Sequence, residues 1–236
     1  SGSGTLHLKG SVSGTAVTLA GYSIATTNFN GTSAQTIPTG ITNMNYTALT
    51  INNTAGATLN GALTTTNLTG NLTVTTGTLK NGGYAITGTA TKTLTVSNGA
   101  AFEMSGTSTY PTGFSTFTYG ATSTERYLQS GSMTLTTATY GHLDLKPAAN
   151  SITFTFPTGT TTIAGNLTMG NGTNTSVGIT AATNSSTVSV TGNLAISANT
   201  TFTAHASNTT TVTGSWTNSG TFTHSSGTVL FNATAT

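Results

Sequence analysis

Three acidic side chains are all the chain has for carboxylate chemistry: Glu103, Glu125 and Asp144. Glycoside cleavage needs two carboxyl groups about 5–10 Å apart, one to protonate the leaving oxygen and one to attack or to activate water. Glu125 follows Glu103 by 22 residues and Asp144 follows Glu125 by 19, so neighbouring turns of a coiled chain could bring two of them together. Two of them have a competing role, however. Glu125 sits beside Arg126, and Asp144 precedes Lys146 on one strand face. Surface ion pairs or solvated groups are the expectation, and no catalytic residue is assigned.

Other chemistries have less to work with. His205 and His224 are 19 residues apart and could stack on adjacent turns, but two histidines without a carboxylate make a poor metal site. Repetitive calcium-binding solenoids need a regular Asp, and this chain has one. The absence of cysteine excludes disulfides, thiolate ligands and Cys nucleophiles. The glycine-rich Asn81-Gly82-Gly83 does not lead into a helix, so it lacks half of a phosphate cradle. No metal and no cofactor are expected. About a dozen Asn-X-Ser/Thr sequons occur, Asn45, Asn52, Asn67, Asn71, Asn166, Asn199 and Asn208 among them; a chain rich in Asn and Thr produces them without selection, and in an archaeal or eukaryotic source they would be acceptors for N-glycosylation. Most aromatics are spaced as core, including Trp216 and Phe154/Phe156. Tyr110, Tyr119, Tyr127 and Tyr140 are the candidate contact patch, expected to be partly exposed.

The elements that must carry these residues follow from periodicity. Apolar residues alternate two by two nearly throughout, as in Val17/Leu19, Leu49/Ile51, Leu72/Val74, Leu94/Val96, Leu143/Leu145, Ile152/Phe154/Phe156, Leu167/Met169, Val188/Val190 and Leu194/Ile196, with no 3.6-residue stripe. Short strands separated by Asn-Gly and Ser-Gly turns result, so the chain is all-β. Threonine suits this pattern because its β-branch fits a pleated backbone and its hydroxyl keeps the outer side wet.

A long self-match gives the organisation. Tyr46–Val74 returns as Tyr140–Met169, with Leu49 matching Leu143 at an offset of 94 and Gly70-Asn71-Leu72-Thr73 matching Gly165-Asn166-Leu167-Thr168 at 95. Such repetition marks a repeat architecture. The shorter phrase Gly-Asn-Leu occurs a third time at Gly192–Leu194, and Gly214–Asn218, Gly220–His224 and Gly227–Phe231 follow the same grammar. These phrases favour a parallel β-solenoid, in which like residues stack from turn to turn. Asn71, Asn166 and Asn193 are then corner residues, able to tolerate left-handed backbone and to bond along the stack. A turn of roughly 20–25 residues predicts about ten turns, and about 4.8 Å per turn predicts a rod of about 50 Å. The rival all-β solution is a tandem of Ig-like β-sandwiches divided near residue 115. Residues 1–20 read as a lead-in, 21–118 as a first repeat, 119–230 as a second, and 231–236 as the start of a third in a truncated array.

The phrases GNLTV, GSWTNSGTFTHSSGTVLFN and FNGTSAQTIP resemble the tandem repeats of large microbial surface and secreted proteins, similar to filamentous-haemagglutinin-like and autotransporter-like adhesins. The resemblance implies a right-handed β-solenoid stalk, export, and roles in adhesion, cohesion or filament building, with no catalytic residues to carry over.

Composition bounds the setting. Only 3% of residues are charged, against roughly 25% in an average soluble domain. Cytosolic proteins usually stay soluble through charge, whereas hydroxyls and amides carry the surface here, so an extracellular or cell-surface location is expected. A net charge of +2 gives no field for nucleic acid, and no run of about 18 apolar residues offers a membrane helix. The expected function is a rigid stalk or self-associating filament subunit without catalysis, its partners being copies of itself or surface glycans. The alternatives are a Thr-rich ice-binding face, for which Thr93/Thr95, Thr134/Thr136, Thr153/Thr155 and Thr160/Thr162 supply Thr-X-Thr pairs, and a polysaccharide-binding or polysaccharide-active β-helix.

Overall fold

A computed structural model describes residues 4–16, 24–41, 44–136 and 139–233. The expected strand pair Val17/Leu19 and Thr234 of the closing phrase lie outside them. Among the described residues there is no helix, and every paired strand runs parallel to its partner. Paired sandwich sheets would require antiparallel neighbours joined by hairpins. The fold is instead a parallel β-solenoid, and its two compact units make about nine turns in all, against the ten expected.

The second unit comprises Ser105–Tyr110 and Ala121–Thr236. It shows the repeating turn most plainly. Thr160–Ile163, Leu167–Met169 and Val177–Thr180 form one circuit; Thr187–Val190, Leu194–Ile196 and Thr200–Thr203 form the next; Thr209–Val212, Trp216–Asn218 and Thr221–Thr223 form a third. Each circuit gives one strand to each of three sheets. The first face contains His142–Leu145, Leu167–Met169, Leu194–Ile196 and Trp216–Asn218. The second contains Met133–Thr134, Thr153–Thr155, Val177–Thr180, Thr200–Thr203 and Thr221–Thr223, and the third runs from Thr139–Tyr140 to Thr228–Phe231.

Strand alternation sends every second side chain inward, and the register stacks these into columns. Leu143, Leu167, Leu194 and Trp216 form one column. Phe154, Ile179, Phe202 and Phe222 form another. Leu143, Leu167, Leu194, Phe154 and Phe202 have no exposed surface. Burying such a side chain contributes roughly 1.5–3 kcal/mol, so the interior columns dominate the stability of the unit.

The first unit, Ser1–Met104 with Pro111–Gly120, uses the same logic with longer strands. Leu49, Leu72, Leu94 and Phe117 form a column, with Ile51, Val74, Val96 and Tyr119 beside it. Leu49–Leu59 and Leu72–Lys80 run on around a corner, and register shifts between Ile51/Asn52 and Asn53/Ala57 mark the bend. Gly77 makes its part of that corner with φ near +72°, a conformation that disfavours any Cβ. Buried amides fill the space. Asn53 Nδ2 donates to Ser33 O (2.8 Å) and Gln35 Oε1 (2.9 Å), and Gln35 Nε2 donates to Leu8 O and Gly10 O. Buried polar groups this well satisfied specify a unique packing.

Candidate functional site

The acidic residues do not form a catalytic pair. Asp144 stands level with Arg126, and Leu143 with Glu125, so the register puts Glu125 and Asp144 on opposite faces of one sheet. Asp144 accepts from Arg126 Nε at 3.2 Å and lies 3.4 Å from Lys146 Nζ, with the carboxylate mostly buried between the two partly exposed cations. In the first unit Glu103 lies 3.9 Å from Lys80. Asp144–Lys146 is the pair that charge spacing suggests, whereas Arg126–Asp144 and Lys80–Glu103 join neighbouring strands; such partly exposed pairs add little to stability.

Glu125 overturns its expectation as a surface ion pair. Its neighbour Arg126 points outward, whereas the Glu125 side chain is fully buried in the second unit. Ser123 Oγ donates to Oε1 at 2.6 Å, and the Gly141 N–H donates to Oε2 at 3.1 Å. Desolvation pushes its pKa up to about 7, against the lowering effect of the Ser123 bond first and then the backbone bonds. One turn's carboxyl thus ties down the backbone of the next.

The tyrosine patch is also corrected. Tyr127 and Tyr140 have no exposed surface, Tyr110 has 4% and Tyr119 has 9%. In the second unit Tyr127 stands level with Leu145 and Tyr140 with Ile163, both inward positions, and Tyr110 stacks on Tyr127 with ring centroids 6.2 Å apart. Tyr119 faces inward beside Val96 in the first unit. Each large ring is used as core volume. His205 and His224 share a local motif: each Nδ1 accepts the backbone N–H two residues on, from Ser207 and Ser226. No group of three or more potential metal ligands occurs among the described residues.

Two arrays remain, and both are periodic. The first is the corner ahead of the first face. The Asn166 N–H donates to His142 Nδ1 (2.9 Å), the Asn193 N–H to Asn166 Oδ1 (2.9 Å), and the Ser215 N–H to Asn193 Oδ1 (2.8 Å). In the first unit the Thr93 N–H donates to Asn71 Oδ1 at 3.0 Å. Each side chain therefore caps the backbone of the following turn, and none of these three asparagines has positive φ. The glycines before them stack equally closely. The Gly192 N–H donates to Gly165 O, and a Cβ on Gly192 would lie 2.5 Å from both Gly165 O and Asn166 Oδ1.

The second array is the outward side of the second face. Thr134, Thr155, Thr180, Thr203 and Thr223 stand level across five strands. Two residues earlier, Thr153, Gly178, Thr201 and Thr221 form a parallel column. The third face has a looser version, with Thr160, Thr187, Thr209 and Thr228 in one column and Thr162, Ser189, Thr211 and Leu230 in the other. Sequence spacing hid this order because turn length varies: Asn166 to Asn193 is 27 residues, and Asn193 to Ser215 is 22. Chemically, these sites can order water or present neutral hydrogen-bonding groups, and they hold no reactive cluster. Comparison with known proteins returned no matching family model, no matching curated protein and no matching solved structure.

Proposed function

We propose that this chain is a structural and adhesive segment of the cell exterior, a stalk or self-associating filament subunit that performs no catalysis. The observation that supports this most directly is the stacking of near-equivalent turns, held by inward apolar columns and corner asparagines, beneath an exterior of neutral hydroxyls and amides. Such a scaffold gains stiffness from each added turn without needing charge. The resemblance of its phrases to adhesin repeats supports the same reading. A self-association surface is available on Thr228–Phe231, where Leu230 is 47% and Phe231 59% exposed. Phe231 packs against Trp216 with centroids 5.8 Å apart. Sedimentation velocity over a rising concentration series is expected to show association that Phe231→Asp abolishes. A profile that remains monomeric at every concentration overturns the self-associating form of the proposal.

A further inference from the structure

We propose that the second face of the second unit binds the surface of ice, through its Thr-X-Thr net and independently of any stalk role. Parallel strands set the net. Neighbouring strands lie about 4.8 Å apart, and outward residues two apart along a strand lie about 6.7 Å apart. Each occupied point presents one hydroxyl, a donor and acceptor, beside one methyl. That rectangular net is close to the repeat of oxygens on a prism face of hexagonal ice, so water held by the hydroxyls and caged by the methyls is already arranged as the first layer of the crystal.

The hydroxyls are available for this. Those of Thr155, Thr201, Thr203, Thr221 and Thr223 make no hydrogen bond to the protein among the described residues, while Thr180 Oγ1 accepts the Ala182 N–H at 3.2 Å. Stiffness is supplied from behind, because the intervening Phe154, Ile179 and Phe202 are locked in the core. A rigid net binds with many weak contacts at once and loses little freedom on doing so.

Charge placement points the same way. All four Asp, Glu, Lys and Arg residues of this unit, Glu125, Arg126, Asp144 and Lys146, belong to the first-face strands or directly follow one. The second face has no such group to impose its own hydration. Its outward positions also lack the aromatic side chains on which a sugar ring would stack and the apolar centre of a protein interface. Ordered water is the partner whose demand, a periodic neutral net, this face meets. The third face is the built-in comparison, since Ser189 and Leu230 break its second column.

Thermal hysteresis and inhibition of ice recrystallisation by the purified chain test the proposal. Both are expected, and Thr203→Tyr within the net is expected to reduce them about tenfold or more, while Thr211→Tyr on the third face leaves them unchanged. Thr203→Val keeps the strand shape and methyls and is expected to cause a partial loss, with circular dichroism confirming that each variant remains folded. Absence of both activities in the folded wild-type chain overturns the proposal, as does equal loss in the two tyrosine variants. Retention on crystalline cellulose or chitin, or a dimer that Thr203→Tyr dissolves, in a protein without ice activity assigns the face to a glycan or to a second copy instead.

Discussion

The corner and the second face of the second unit obey different rules. At the corner, contact dictates identity: Gly192 has backbone 2.5 Å from where a Cβ would be, and Asn193 supplies the one acceptor for the Ser215 N–H. On the outward side of the face the side chains are only partly covered, by their neighbours along the columns. Valine, isoleucine, serine or tyrosine would suit the pleat there, yet threonine occupies nearly every point. Uniformity at the corner follows from packing, whereas uniformity on the face is what the proposed ice-binding role would add to threonine's fit to the pleat.

That contrast can be broken experimentally. Gly192→Ala is the most severe test, because the added carbon meets Gly165 O and Asn166 Oδ1 and the turns must separate. A loss of about 3 kcal/mol is expected from such overpacking, read as a lower urea midpoint. Unchanged stability would show that turns slide freely and that the corner is no more constrained than the face.

Next is Glu125, an ionisable group among the inward columns. Its folded pKa of about 7 lies above its ordinary 4.5, so the folded state holds the proton more tightly than the unfolded one. The resulting stabilisation is fully present below about pH 4.5 and is lost as pH rises through about 7, on the order of 3 kcal/mol across the window. Glu125→Gln retains an acceptor for the Gly141 N–H and is expected to flatten that pH dependence. Denaturation midpoints at pH 4.5 and 8 check this, and identical slopes for the two proteins would mean that water reaches the carboxylate.

The smallest effect is expected at Asn193→Ala, which leaves the Ser215 N–H without its acceptor at an exposed corner, a cost of about 1 kcal/mol. Amide hydrogen exchange at Ser215 should accelerate in the variant while exchange within Leu194–Ile196 changes little. Equal acceleration at both places would make the asparagine column part of the cooperative core.

Much of the fold is legible in the chain because stacking repeats itself there. Leu49 and Leu143, or Leu72 and Leu167, announce inward positions by alternation, and the Gly-Asn-Leu phrases announce a turn. Expectation fails where sequence neighbours are taken for spatial neighbours. Glu125 and Arg126 adjoin in the chain, but on a strand adjacent residues point to opposite sides, so the charge partner of Arg126 is Asp144 on the next strand. The same parity places Tyr127 on the inward side with Glu125, a signal that alternation alone carries. The threonine net is not legible in this way. Thr155, Thr180, Thr203 and Thr223 align only when the differing lengths of successive turns are known, and those lengths are set by loops whose residues carry no periodic mark. Nor does any alternation pattern announce the Gln35–Asn53 amide network, which exists only because the first unit's long strands turn a corner together.

The matched columns have a consequence for how such a protein changes length over generations. Leu167 and Leu194 present to the turn above what they accept from the turn below, so the two sides of a turn are interchangeable. A duplicated or deleted circuit therefore meets fitting surfaces on both sides, and each such change adds or removes one step of about 4.8 Å without opening the interior columns.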